Sequence, residues 1–165
     1  MSVLDSQLLR EPIEDLLLPR NGRRSVPIML VRAREAVMAR FRPLLAEHGL
    51  SEQQWRVIRA LAEAESLDAR EVADRASVMA PSLTRIIRAL QARGLVTRRI
   101  DQRDRRRVLL ALTPQGIELL AELTVRGSSG YSDFVEGFGA ERIDRLLALL
   151  NELVDFCDMP AARRG

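Results

Sequence analysis

Residues 81–116 read PSLTRIIRALQARGLVTRRIDQRDRRRVLLALTPQG, and the spacing of apolar residues changes within this stretch. From Leu83 to Leu90 they recur every three or four positions, as on one face of a helix. After Gly94 the period is two in LVTRRI and in RVLLALT, which predicts two strands around the charged segment DQRDRR. The stretch therefore predicts a helix followed by a β-hairpin with a charged tip.

A shorter helix is predicted just before this stretch, over AREVADRA at residues 69–76. Asp68 is its expected N-cap, and Glu71 lies at the capping-box position three residues later. A turn at 77–80 separates it from the helix that Pro81 opens. Two short helices joined by a tight turn predict a helix-turn-helix, and the hairpin that follows predicts a wing. We expect a mainly α fold with a small β-wing.

Helices are also predicted upstream of this unit. An amphipathic helix is expected over 27–48 and ends at Gly49. Ser51 is the expected N-cap of the next helix, with Gln54 at its capping-box position. Residues 1–25 form a proline-containing arm whose leucines need a covering surface.

Two more helices are predicted downstream. Thr113 and Pro114 open a long one, which the glycine-rich stretch 127–139 should weaken or kink. The last, over 140–157, carries an apolar stripe at i, i+3, i+4 spacing. One chain of 165 residues does not supply a cover for this stripe and for the arm, so we expect a C2 homodimer in which both are intertwined.

The composition excludes much chemistry. All 26 basic residues are Arg, and the chain has one His and one Cys. Intrachain disulfides, closed Cys/His zinc sites and lysine Schiff bases are therefore impossible within one chain. We expect no metal, no cofactor and no enzymatic activity. We also expect a cytoplasmic protein without a membrane span, because no apolar run approaches the roughly 20 residues that a span needs.

The positive charge is concentrated in one segment. Residues 81–107 hold nine Arg and two Asp, a net charge of +7, whereas the rest of the chain is net −4. Such a stripe is typical of a nucleic-acid-binding surface. The alternative is a solvated loop rich in Arg.

These motifs resemble the recognition helix and wing of MarR-family regulators. The resemblance lies in the G-L-V-x-R turn, the D-x-R-D-x-R tip and the L-T-x-x-G helix entry of residues 94–116. Residues 33–61, AREAVMARFRPLLAEHGLSEQQWRVIRAL, resemble the branch that regulates homoprotocatechuate (aromatic acid) degradation operons. The similarity covers roughly residues 26–156 and leaves out the arm and the stretch 127–139.

The resemblance implies a domain organisation and a function. Residues 1–25 would be a dimerisation arm and 26–158 a MarR-type domain. Within it, a winged helix-turn-helix at about 50–113 would lie between dimerisation helices at about 26–48 and 114–158. Members bind double-stranded palindromic operators as homodimers, mostly as repressors, and many release DNA when a small aromatic acid binds.

Candidate DNA contacts lie on the helix and the hairpin. The polar side of the predicted recognition helix carries residues that can reach bases or phosphates, or that form an ordinary solvated face. They are Ser82, Thr84, Arg85 and Arg88. At the tip, Asp104 and Arg106 match the wing Asp and Arg of the family, where the Arg enters the minor groove and the Asp orients it; the alternative is an exposed ion pair. Further Arg residues are expected to contact phosphates or nothing: Arg98, Arg99, Arg103, Arg105 and Arg107.

The candidate ligand site centres on Arg34. It falls on the apolar face of the first predicted helix, so a carboxylate must pair with it, from the protein or from an effector. The family pocket lies between this helix, the next one and the long helix that Thr113 opens. Met38, Phe41, His48 and Trp55 are candidate walls, with Arg59 as a second cation. The alternatives are an ion pair across the dimer for Arg34, plain core for the aromatic residues and a helix C-cap for His48.

Two other functions remain open from the sequence. A DNA-binding regulator or architectural protein without an effector would keep the wing and fill the Arg34 pocket with protein side chains. An enzyme or interaction module could also use the winged fold, although the basic helix and wing argue against it.

Overall fold

The computed structural model describes residues 25–102 and 104–159 and contains seven helices and three short strands in them. The predicted arm therefore lies outside the described residues, apart from Ser25. In chain order the elements are α1 (Val26–Met38), α2 (Arg42–Glu47), α3 (Glu52–Leu61), β1 (Leu67–Asp68), α4 (Ala69–Ala76), α5 (Ala80–Ala92), β2 (Val96–Ile100), β3 (Val108–Leu112), α6 (Pro114–Phe138) and α7 (Ala140–Asp158).

The predicted helix-turn-helix and wing are confirmed. α4 and α5 are joined by a short turn, and β2 pairs antiparallel with β3 so that Val96 faces Leu112 and Ile100 faces Val108. The two-residue strand β1 was not predicted. It pairs with the other side of β3, giving a three-stranded sheet in the order β1-β3-β2.

One hydrophobic core holds this unit together. α3, α4, α5 and the sheet all contribute side chains to it, and the end of α2 and one residue of α6 close it. Its most deeply buried side chains are Val57, Ile58, Leu61, Val72 and Leu90. Burying a side chain of this size contributes about 1.5–3 kcal/mol, so the core fixes how α5 sits on the domain.

The predicted caps are confirmed. The Ser51 hydroxyl accepts from the Gln54 N–H at 3.2 Å while the Gln54 side chain accepts from the Ser51 N–H at 2.8 Å. Asp68 and Glu71 form the same reciprocal pair at 2.9 and 2.7 Å. The Thr113 hydroxyl accepts from the N–H of the third residue of α6 at 3.0 Å. These bonds satisfy N–H groups that a helix leaves unpaired at its start.

The prediction of a single helix over 27–48 was wrong. The helix breaks between Met38 and Arg42, and Pro43 occupies the first turn of the second segment. Proline has no N–H to donate to the carbonyl four residues earlier, and its ring clashes with that carbonyl in a continuous helix. α2 therefore begins as a separate helix at Arg42.

The glycine-rich stretch does not interrupt the long helix, and the expected weakening or kink stays a prediction. α6 runs for 25 residues through this stretch. Each glycine costs a helix roughly 1 kcal/mol, but aromatic side chains spaced along the same stretch pack on one another. Tyr131 and Phe134 have ring centroids 6.5 Å apart, and Phe134 and Phe138 stack at 6.1 Å.

The outer helices bury little of their apolar surface. No side chain of α1, a helix described throughout, is buried, and in α7 only Ile143 is. Apolar side chains on these two helices that remain exposed are Val26, Ile28, Met29, Leu30, Val31, Leu146, Leu147, Leu149, Val154 and Phe156. Among the described residues, no helix has the length and apolar character needed to cross a membrane.

We predict opposite effects for two alanine substitutions in α6. A Cβ on Gly116 would lie 2.2 Å from the backbone oxygen of Leu95, so Gly116→Ala forces the wing and α6 apart. It should lower the free energy of unfolding by about 1–3 kcal/mol. Gly130→Ala meets no described atom within 4 Å and should raise it by about 0.5–1 kcal/mol. Chemical denaturation measures both, and an unchanged stability of Gly116→Ala would contradict the packing described here.

Candidate nucleic-acid interface and ligand cavity

Helix α5 presents a polar face opposite its buried one. Its apolar stripe is fully in the core: Leu83, Ile86, Ile87 and Leu90. On the other side Thr84, Arg85 and Arg88 are exposed and Ser82 is half-buried. The Thr84 hydroxyl donates to the Ala80 carbonyl at 3.3 Å, which leaves its oxygen available as an acceptor. The predicted recognition face is therefore accessible on a rigid helix.

The turn that precedes α5 is held by an arginine that the sequence analysis did not select. Ser77 ends α4 in the left-handed conformation, with φ at 49°. Arg56, on α3, donates from Nη1 to the Ser77 carbonyl at 3.1 Å. The core helix thereby fixes the backbone of the turn.

The helix and the wing come together around one open groove. The groove has a volume of about 730 Å³ and lies between α4, α5 and the sheet. Thr84 and Arg88 line it from α5, and Arg98 lines it from β2. Three of the predicted DNA contacts thus share one surface.

The wing tip differs in detail from the prediction. Arg105 and Arg106 are exposed, as expected. The Asp104 carboxylate accepts a hydrogen bond from the backbone N–H of Arg106 at 3.0 Å. This oxygen therefore shapes the backbone at the tip, whereas the prediction had the carboxylate orienting the Arg106 guanidinium.

Two wing arginines have partners within the chain. Arg99 lies 3.3 Å from the Ser66 hydroxyl and 3.7 Å from Glu65. Arg107 donates to Asp68 at 2.8 Å. The Asp68 carboxylate also accepts a hydrogen bond from the Glu71 N–H. This bond is the larger cause that lowers the pKa of Asp68 below its usual value, and the bond from Arg107 is the next. Arg107 thus ties the wing to the start of α4, a role that the expectation of a phosphate contact missed.

A second cavity lies between the α1–α2 break, α3 and α6. Its volume is about 560 Å³. It is lined by Met38, Phe41, Leu44, Leu45, Trp55, Arg59, Leu123, Thr124, Gly127, Ser128 and Tyr131. Four of the six predicted ligand residues are in this set, and Arg34 and His48 are not.

Arg59 is the cationic residue of this cavity. It lies one helical turn after Trp55 on α3 and is exposed. Among residues 25–102 and 104–159 it has no ion-pair partner. A guanidinium beside an apolar and aromatic wall is suited to a planar carboxylate. No group of three or more His, Cys, Asp or Glu side chains in the described part of the chain could hold a metal ion.

Helix α6 supplies polar groups that the sequence analysis missed. Thr124, Ser128 and Tyr131 recur at spacings of four and three, so they share the face that lines the cavity. This spacing of hydroxyl groups was the available signal. It was overlooked because the surrounding glycines argued against a continuous helix.

The sequence placed Arg34 on an apolar helical face with a carboxylate of the protein or of an effector as its partner, and among the described residues its partners are protein carboxylates. Its side chain is 47% exposed and pairs with Glu35 at 2.6 Å and with Glu52 at closer range. Arg42 also pairs with both carboxylates. Protein carboxylates therefore meet the charge of Arg34, which does not line the cavity. Burial raises the pKa of Glu52, but the bond from Arg42 and the charge of Arg34 outweigh it and lower that pKa overall.

His48 acts as a C-cap. It follows the last residue of α2, and its Nδ1 lies 3.0 Å from the Leu44 carbonyl. Its Nε2 lies 3.0 Å from a carboxylate oxygen of Glu122 on α6. Both neighbours are acceptors, so only the imidazolium can donate to both. The hydrogen bond to the Leu44 carbonyl is the larger cause that raises the pKa of His48, and the hydrogen bond to Glu122 is the next.

This arrangement predicts a pH dependence of stability. Because the folded pKa of His48 is raised, its stabilising effect is complete below about pH 6.5 and is lost as pH rises through the folded value. His48→Gln should therefore lower the free energy of unfolding more at pH 6 than at pH 8.5, and Glu122→Gln should reduce the same difference. Urea denaturation at both pH values tests this. An equal loss for His48→Gln at both would show that the imidazole does not titrate against Glu122.

Comparison with known proteins agrees with this geometry. The sequence profile of the MarR family matches residues 48–107. The HTH-type transcriptional regulator FarR of Neisseria gonorrhoeae is 41% identical over 134 residues, 81% of this chain and 92% of FarR. The homoprotocatechuate degradative operon repressor of Escherichia coli is 38% identical over 130 residues, 79% of this chain and 88% of the repressor.

A solved structure shares the fold of the chain. The crystal structure of NadR in complex with 4-hydroxyphenylacetate superposes with a TM-score of 0.74 at 40% identity, covering 81% of this chain and 98% of that one. The fold and the basic helix and wing define a winged helix-turn-helix transcriptional regulator. The chain belongs to the MarR family.

Proposed function

We propose that the chain is a cytoplasmic homodimeric repressor of an aromatic-acid catabolic operon, released from DNA by a small aromatic carboxylate. The observation that carries the proposal is the cavity with Arg59 at its wall, placed between the outer helices and the DNA-binding unit. The relatives support it, because one is a repressor of homoprotocatechuate degradation and another is solved with 4-hydroxyphenylacetate.

The dimer is proposed to form through the outer helices. The exposed apolar residues of α1 and α7 need a cover, and a second copy of the chain related by a two-fold axis supplies one. Two recognition helices related in this way would read half-sites about 34–36 Å apart in successive major grooves. The operator is therefore expected to be palindromic.

Each side chain of the DNA surface has a proposed role. Arg85 and Arg88 reach guanine edges in the major groove, and Ser82 and Thr84 bond to bases or phosphates. Arg106 enters the minor groove, whose negative potential favours a guanidinium. Arg98, Arg99 and Arg105 contact phosphates, and Asp104 keeps the tip in shape.

The effector is proposed to bind with its carboxylate on Arg59. Its ring would lie against Met38, Phe41 and Trp55. A phenolic or phenylacetic acid fits these walls, and hydroxyls of α6 can meet a ring substituent. Arg34 and His48 act outside the cavity, in the ion-pair cluster and at the end of α2.

Release requires a difference in affinity between two states. An effector that bound both equally would shift nothing, however tightly it bound. The aromatic acid is therefore proposed to favour a dimer whose recognition helices no longer match the operator spacing.

We predict that Arg106→Ala weakens binding to a duplex carrying the region upstream of the chain's own gene by about tenfold at 0.1 M salt, and lowers the salt slope by about one. The tip is exposed, so the fold should persist. Arg145→Ala, on the side of α7 away from its apolar stripe, is the matched control and should bind as wild type. Fluorescence anisotropy measures both, and wild-type affinity in Arg106→Ala would rule out the wing contact.

We predict that Arg59→Met loses about 10- to 100-fold in affinity for 4-hydroxyphenylacetate, because a hydrogen bond to a charged group is lost. Arg34→Met is the comparison and should stay within about threefold of wild type, because Glu35 and Glu52 already occupy Arg34. Isothermal titration of the three proteins tests this.

The opposite ranking would return the anchor role to Arg34. A failure of the wild-type protein to bind aromatic acids would favour the alternative function, a DNA-binding regulator without an effector. If neither 4-hydroxyphenylacetate nor 3,4-dihydroxyphenylacetate bound the wild-type protein or raised its melting temperature, the chain would be a DNA-binding regulator without an aromatic-acid effector. The ion pairs of Arg34 with Glu35 and Glu52 are the observation that favours a regulator without an effector.

A further inference from the structure

Arg93 joins two helix ends that belong to different parts of the chain. It follows the last residue of α5, the proposed recognition helix. Its Nη1 donates to the Gly49 carbonyl at 2.9 Å and its Nη2 to the His48 carbonyl at 2.8 Å. These two carbonyls terminate α2, so one guanidinium bridges the end of α5 and the end of α2.

The physical setting favours a cation at this point. α2 and α5 both end at a glycine with positive φ, 60° at Gly49 and 69° at Gly94. In each case the leucine that follows donates its N–H back to the carbonyl five residues earlier, at 2.9 and 3.0 Å. Two helix C-termini, each with a partial negative charge, therefore lie close together, and Arg93 is placed between them.

Helix α2 is also a wall of the ligand cavity. Leu44 and Leu45 line the cavity, and they lie only a few residues before the carbonyls that Arg93 binds. α2 has six residues and is held at both ends. Arg42 pairs its start to α1 and α3, and His48 bonds its end to Glu122 on α6. The side chains of α2 therefore line the cavity while the backbone at its end contacts Arg93.

We propose that Arg93 is a positioning residue that couples the cavity to the recognition helix through α2. An occupant that displaces Leu44 and Leu45 shifts the carbonyls of α2, and Arg93 carries that shift to the C-terminal end of α5. The effector part of this inference rests on the proposed function. The coupling itself also works in reverse, because a change of affinity between two sites is reciprocal.

Reciprocity gives a test that needs no effector. Trp55 is the only tryptophan and lies in the cavity wall. Adding the upstream duplex should change Trp55 emission in the wild-type protein and not in Arg93→Gln. Arg93→Lys keeps a hydrogen-bond donor at this point and should retain part of the Trp55 response to DNA. It serves as the control for a general loss of fold.

The second readout is the ratio of DNA dissociation constants with and without saturating 4-hydroxyphenylacetate. Wild type should show a ratio in the range of about 5–150. In Arg93→Gln the ratio should fall to about one, while 4-hydroxyphenylacetate still binds within about threefold of wild type. Arg56→Gln is the matched control, since Arg56 also donates to a backbone carbonyl but within the DNA-binding unit. It should weaken DNA binding and leave the ratio unchanged.

The outcomes separate this inference from the proposed function. A wild-type ratio or a wild-type Trp55 response in Arg93→Gln would overturn the inference. So would a wild-type Trp55 signal that does not respond to DNA. If Trp55 responds to DNA through Arg93 but 4-hydroxyphenylacetate has no effect, the coupling stands and the effector class is wrong. If the wild-type protein binds no DNA, the proposed function fails and this inference fails with it.

Discussion

Among the described residues, the outer helices α1 and α7 leave most of their apolar side chains uncovered, and the proposed assembly and site depend on this constraint. The core is built from α3, α4, α5 and the sheet, whereas α1 has no buried side chain and α7 has only Ile143. The core of the DNA-binding unit is therefore formed within one chain, whereas the described residues leave the outer helices largely uncovered. The ligand cavity lies where the two parts meet, between α3 on one side and α6 on the other. We propose that an occupant at that boundary alters how the recognition helices are spaced without disturbing the core that supports them.

The sequence predicted what local physics determines. Capping boxes at Ser51 and Asp68, the glycine stop after α5 and the hairpin all depend on residues a few positions apart, and all were confirmed. The prediction departs from the structure where particular residues override the apolar period. Pro43 divided a helix whose apolar period seemed continuous, and aromatic stacking accompanies a continuous α6 through its glycines. Arg34 was placed between Phe41 and Leu45 by a helical wheel that runs through the break before α2.

The candidate site was predicted in part for the same reason. Trp55 and Arg59 share one face of a correctly predicted helix, so both line the cavity. Arginine supplies every cationic side chain of this chain except His48, and guanidinium is both a phosphate ligand and a donor to backbone carbonyls. Arg93 and Arg107 therefore look in the sequence like part of the basic stripe. Only the fold separates them from Arg106, because their partners lie about 40 residues away.

The association state of the chain tests the account most directly, because the placement of cavity and recognition helices depends on it. Sedimentation equilibrium at micromolar concentration, in the absence of DNA and effector, reports the mass in solution. The account predicts the mass of two chains across that range, with the apolar faces of α1 and α7 covered by the second copy. A mass of 18.6 kDa, that of one chain, would contradict it.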